Sequence, residues 1–165
     1  MTKSELIASL QNEVRILLHL IGKIDRKALE YRPTPKQRST FELLQYLSMM
    51  GPTIVRYGVT KAEDFSLWTQ ADEAAKARDF DQTVAAIAAQ SDEYASLLNP
   101  LSEQDFRTEV KSFDGSKVSL GVFIISAVLC ACAAYRTQLF LYLKACGREE
   151  LSTYNLWGGI DAPAA

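Results

Sequence analysis

Residues 119–145 read SLGVFIISAVLCACAAYRTQLFLYLKA, the longest apolar stretch of the chain, with Arg136 and Lys144 as its only charges. Residues 118–135 carry no charge at all, and that length is at the lower limit for a membrane-spanning helix. Two serines and a run of alanines and cysteines dilute its hydrophobicity, and no other segment approaches spanning length. Amphipathic partners are present upstream to cover it. The stretch is therefore read as the last helix of an all-α, four-helix bundle, and no membrane partner is expected. On a straight helix its inner face is Ile124, Val128, Ala131, Tyr135, Gln138 and Tyr142. Val122, Ala133 and Phe140 fall opposite and are not polar either, so that side also needs cover. The expectation is a homodimer formed through this helix and its neighbours.

The partner helices lie upstream. Ile7, Leu10, Val14, Leu17, Ile21 and Ile24 recur at spacings of three and four and predict a first helix over residues 4–30. The one histidine, His19, lies on the far side of that stripe and is expected to face solvent or a partner chain. Residues 31–38, YRPTPKQR, hold two prolines and form a linker. Ser39 and Glu42 have capping-box spacing and open a second helix with Leu43, Leu47, Met50 and Ile54 as its stripe and Tyr46 at the edge. Gly51-Pro52 is a place for that helix to kink or end. Residues 57–80 are irregular, with Phe65, Leu67 and Trp68 as apolar anchors in a long crossover connection. A third helix over residues 81–98 aligns Val84, Ile87, Ser91, Tyr94 and Leu98, and Asn99-Pro100 stops it. Asp114-Gly115 suggests a small hairpin. After a helix-capping Gly147, the tail with Tyr154, Leu156 and Trp157 is expected to fold back on the bundle.

Composition is that of an ordinary globular chain: 165 residues, 48% hydrophobic, 23% charged, and a single domain over 1–165. A net charge of −2 offers no basic face, so no nucleic acid is expected. The first residues carry charges throughout and lack a signal-peptide apolar region. Three cysteines, an odd number, fit reduced thiols, and the expected location is cytoplasmic.

The chemistry of a metal or nucleophile site is sparse. A catalytic zinc takes three protein ligands, and here there is one histidine. Cys130 and Cys132 point roughly 200° apart on a helix and cannot pair with each other. Carboxylates adjacent in sequence, such as Glu63-Asp64 and Asp72-Glu73, splay apart and read as solvated. No phosphate-binding glycine loop or nucleophile elbow is present. What remains is a set of polar groups on apolar inner faces. Tyr46, Tyr135, Gln138 and Tyr142, with Met50 and Ala131, form a candidate pocket between the second and fourth helices for a small organic ligand.

Three stretches, YRPTPKQRSTFELLQYL, AAYRTQLFLYLKACG and GREELSTYNLWGG, resemble the DinB-like family of four-helix-bundle proteins, and the similarity covers most of the chain. The resemblance implies an up-up-down-down bundle with a long crossover, often dimeric. It also implies a metal held at one end of the bundle by histidines in an ELL-x-H segment and an H-x-x-x-H-R-x-Q-L segment. At those positions this chain has Tyr46, Ala131 and Tyr135, the last followed by Arg136 and Gln138 as the pattern asks. All three ligands are replaced, and tyrosine is a poor substitute for imidazole. The expectation is a bundle with no catalytic metal, no cofactor and no catalytic residues, acting as a small-molecule-binding or interaction protein. The alternative is an enzyme, a transferase or isomerase like the family's thiol-dependent members. It would use the same pocket with no metal, or with ligands such as Tyr46, Tyr135 and an acidic residue of the crossover.

Overall fold

Each bundle helix starts where a short polar side chain can satisfy its free N–H groups. The computed structural model describes residues 1–62 and 64–163. Helix α1 (Lys3–Ile21) begins on a capping box between Thr2 and Glu5 and buries Leu6, Leu10, Val14, Leu17 and Leu20. It ends at Gly22, well before the expected residue 30. Asp25 is the reason: its carboxylate accepts from Lys27 N and caps a separate 3₁₀ turn, Arg26–Ala28.

Helix α2 (Thr40–Thr60) opens on the Ser39–Glu42 capping box and runs unbroken through Gly51-Pro52. The crossover is not irregular. Residues Ser66–Lys76 form α3, which packs on α2 and buries Ala75, with Trp68 and Ala71 half-buried. Alanines carry its inner face, so it offered few large apolar residues for a periodic reading. Helix α4 (Phe80–Leu98) is capped by Asp79 and Gln82 and buries Ile87, Gln90, Tyr94 and Leu98. The amide of Gln90 donates to the Leu47 carbonyl at 2.7 Å, tying α4 to α2. Strands β1 (Glu109–Lys111) and β2 (Lys117–Ser119) pair antiparallel with Val110 opposite Val118, and Gly115 at φ +86° turns the connecting loop. Among the described residues this hairpin is the whole of the β structure, and the fold is all-α in class.

The final helix, α5 (Leu120–Ala145), closes the bundle. Both α4 and α5 pack against α1 and α2. Helices α1 and α2 therefore share one diagonal of the square, and residues 22–39 cross it. At Gly51 of α2 an added Cβ would lie 1.9 Å from Tyr94 Oη of α4 and 3.3 Å from a Val128 methyl of α5, so the missing side chain is what lets three helices meet.

A π turn at Ile125–Leu129 interrupts α5. It takes up about one residue more than an α turn and rotates everything downstream. The face that enters the core after it is Arg136, Leu139, Tyr142 and Leu143. Ala131, Tyr135 and Gln138, expected on the inner face of a straight helix, are half-buried on its flank. The opposite side of α5 is open. Val122 and Leu141 are 48% and 57% exposed, and Ser126, Cys130 and Ala134 are exposed between them. The helix is long and apolar enough to cross a membrane by length and composition, with a mean hydropathy of 1.8 in its most apolar window. It nevertheless packs in the bundle and buries Arg136 against Glu13 of α1.

The tail does fold back, on α1 rather than over the open side of α5. The Arg15 guanidinium donates to the carbonyls of Gly158 and Gly159 at 2.8 and 3.2 Å. His19 is consequently half-covered instead of free. Asn155, buried, donates from Nδ2 to His19 Nε2 at 3.1 Å and to Asp161 Oδ1 at 3.0 Å. An amide nitrogen only donates, so Nε2 holds the acceptor lone pair and the ring is neutral. Burial, more than its neighbours Lys23 and Arg15, lowers the imidazole pKa in keeping with that.

Candidate functional site

Helix α2 presents Tyr46, Met50 and Ile54 four residues apart, and α5 presents Ala127, Ala131 and Tyr135 four residues apart. The two rows face each other across a groove of about 340 Å³. Trp68 of α3, Phe65 just before it, and Phe113 of the hairpin loop complete its walls. Among the described residues no charged side chain lines it. The Tyr46 ring meets Tyr135 edge-on at 5.1 Å between centroids and Trp68 at 6.0 Å. Phe65 and Phe113 stand 69% and 60% exposed.

Of the six residues expected to share one pocket, Tyr46, Met50, Ala131 and Tyr135 do line this groove. Gln138 and Tyr142 do not. Gln138 Nε2 donates to Tyr142 Oη at 2.5 Å, and Tyr142 Oη donates to the Arg38 carbonyl at 3.1 Å. The Tyr142 ring meets Tyr31 at 5.5 Å. These two residues face a separate hollow of about 440 Å³, walled by Tyr31, Pro33 and Gln37. The physical reason is that α2 begins at Thr40, so beyond that level the linker replaces it as the neighbour of α5. Ile54 and Ala127 continue the two helical rows and were accessible to the periodicity. Phe113 sits in a loop, where no spacing rule points at it.

Burial and the neighbouring Tyr135 push the Tyr46 hydroxyl well above its usual pKa, so it is a neutral donor. On the other side of the Tyr46 ring lies the Arg38 guanidinium, 4.0 Å from the centroid. Past Tyr46 and Trp68 opens a second, charged hollow of about 570 Å³ lined by Arg38, Glu42, Gln45, Asp72 and Lys76. Glu42 pairs with Arg32 at 3.0 Å and Lys76 with Asp72 at 2.5 Å. Arg38 has no carboxylate within ion-pair distance among the described residues.

This donor set does not fit the metal that the family resemblance implies. One position is a methyl group, one is a phenol that its surroundings keep protonated, and a guanidinium lies on that phenol's ring. Among the described residues no three histidine, cysteine, aspartate or glutamate side chains gather. Glu63, half of an expected solvated pair and an acidic residue of the crossover, lies outside the described residues.

A second polar group, not foreseen from the sequence, sits inside the bundle. Arg136 Nη1 donates to Glu13 Oε1 at 3.1 Å, and the Trp157 ring lies 5.8 Å from the guanidinium carbon. Cys132 and Tyr94 are close by. Among the described residues Glu13 Oε2, Tyr94 Oη and Arg136 Nε have no hydrogen-bond partner. Desolvation pushes the Glu13 carboxyl up in spite of Arg136, and pushes the Cys132 thiol up to about 12. A thiol of that acidity is protonated at neutral pH and is no nucleophile. The register shift at the π turn is what swings Cys132 and Arg136 inward.

Comparison with protein-family models gives no match, and none of the curated proteins matches the chain. The fold is similar to a solved structure, a DinB-like protein, YjoA, from Bacillus subtilis. The TM-score is 0.70 with 17% sequence identity, covering 91% of this chain and 96% of that one. The chain therefore has the DinB-like fold.

Proposed function

We propose that this protein is a DinB-like bundle without a catalytic metal that binds a small organic ligand in the groove between α2 and α5. The observation that carries the reading is the groove itself. Tyr46, Met50, Ala131 and Tyr135 meet in an apolar, aromatic-walled hollow whose polar groups are hydrogen-bond donors suited to orienting a guest. Its location is cytoplasmic, in keeping with three unpaired thiols. It acts as a homodimer, with the open side of α5 as the contact surface, a reading supported by exposed Val122 and Leu141 on a face without charges.

The experiment has two parts. Untagged protein is assayed for metal content, and binding of the neutral fluorophore N-phenyl-1-naphthylamine is titrated. Sub-stoichiometric metal and saturable fluorophore binding, abolished by the groove-filling Ala131→Trp, are expected. Stoichiometric zinc or nickel, or fluorophore binding unchanged in Ala131→Trp, overturns the reading. Sedimentation at micromolar concentration tests the dimer, and a monomer there refutes it.

A further inference from the structure

We infer that the ligand of the α2–α5 groove is an amphipathic carboxylate with an aromatic body, its anionic end held by Arg38. The inference rests on the groove being a small-molecule site and names the class of guest it takes. Five of the nine residues lining the groove are aromatic: Tyr46, Phe65, Trp68, Phe113 and Tyr135. Phe65 and Phe113 come from two different connections and stand open at the rim, so a flat apolar body placed between them removes exposed apolar surface. Among the described residues no carboxylate and no cation lines the groove, which leaves the charge of the guest to be met at its end.

That end is defined by Tyr46. Its ring is a wall shared by the apolar groove and the charged hollow, and the Arg38 guanidinium carbon lies over it, 4.0 Å from the centroid. Arg38 is thus one ring away from the apolar space. Of the two cations in the charged hollow, Lys76 is held by Asp72 at 2.5 Å, while Arg38 has no carboxylate within ion-pair distance among the described residues. A guanidinium on an aromatic face keeps its N–H fork directed outward in the ring plane's neighbourhood, where it can pair a planar carboxylate side by side. Glu42 and Asp72 also line the charged hollow, and their negative charge disfavours a dianion such as a phosphate monoester. A single negative charge, on a carboxylate, is what one free arginine in that company accommodates.

The test is isothermal titration of the native protein with three ligands of one shape: 2-naphthoate, 2-naphthamide and 2-naphthylmethylammonium. The expected result is that naphthoate binds about 10-fold or more tighter than the amide, the scale of a charge-assisted hydrogen bond, with the cation weakest. Arg38→Gln is expected to erase the preference by weakening naphthoate to the level of the amide, and Arg38→Lys to retain part of it. Arg38 is exposed and its side chain supports no ion pair, so neither variant threatens the fold, which circular dichroism verifies. Equal binding of the carboxylate and the amide, or a preference that survives Arg38→Gln, overturns the inference and leaves the groove itself intact as a binding site. Failure of all three ligands to bind refutes both readings.

Discussion

Replacing Gly51 with alanine tests whether three helices really meet at that backbone position. A Cβ built there lies 1.9 Å from Tyr94 Oη, 3.1 Å from Tyr94 Cζ and 3.3 Å from Val128 Cγ1. Real Cβ contacts begin near van der Waals distance, so the hydroxyl must retreat by well over an ångström. Tyr94 is 1% exposed and cannot swing into solvent. Overpacking of this kind costs about 3 kcal/mol at the upper end. Alanine gains about 1 kcal/mol over glycine inside a helix, so the net loss for Gly51→Ala is about 2 kcal/mol. Tyr94→Phe alone removes the clashing oxygen, which has no hydrogen-bond partner, and is expected to be within about 1 kcal/mol of wild type. In the double variant the nearest atom is the ring carbon at 3.1 Å, tight but adjustable. Gly51→Ala should then be close to neutral, which gives a coupling of about 2 kcal/mol in a double-mutant cycle. Urea unfolding followed by far-ultraviolet circular dichroism measures all four stabilities. Additive effects, or a Gly51→Ala protein as stable as wild type, refute the packing argument.

Other outcomes follow from the buried polar group and the groove. Because burial raises the folded pKa of Glu13, its contribution to stability is full below the unfolded carboxylate pKa and is lost as pH rises through the folded value. The stability of Glu13→Gln relative to wild type should therefore climb between pH 4 and pH 7, measured by urea unfolding, and a flat difference contradicts the raised pKa. Removing the cation instead, with Arg136→Leu, leaves Glu13 buried without its partner and should cost about 3 kcal/mol at neutral pH. Ellman's reagent at pH 8 should modify exposed Cys130 first and half-buried Cys146 more slowly, with Cys132, also half-buried and with its thiol pushed up to about 12, slowest of the three. Fast labelling of all three thiols in the folded protein contradicts the placement of Cys132. Finally, Tyr46→His, Ala131→His and Tyr135→His together should create zinc affinity, since all three positions line one groove. A folded triple variant that shows no zinc binding by calorimetry argues against their convergence.

The polar cluster illustrates how one local irregularity redistributes chemistry. On a straight α5, Ala131, Tyr135 and Gln138 would enter the core and Arg136 would lie off it. With one extra residue in the Ile125–Leu129 turn, Arg136 enters, and Glu13 of α1 is the carboxylate that meets it. Tyr135 is left at the edge, where its ring walls the groove and touches Tyr46. The groove and the buried ion pair are thus two consequences of the same turn.

Much of the fold was written in local chemistry. The Ser39–Glu42 box, the Asn99-Pro100 stop, the Asp114-Gly115 turn and the stripes of α1, α2 and α4 act over a few residues, so the sequence alone determines them. Helix α3 escaped because alanine carries its inner face, and the end of α1 escaped because the hydrophobic period continues past Gly22 to Ile24 while the helix does not. What tertiary structure alone decided is the rotation of the last helix. A π turn is stabilised by what the turn packs against, at almost no cost visible in residue type, so nothing in residues 125–129 announces it. That rotation swung Arg136 onto Glu13, left Tyr135 at the edge, and set which aromatic rings a guest in the groove would meet.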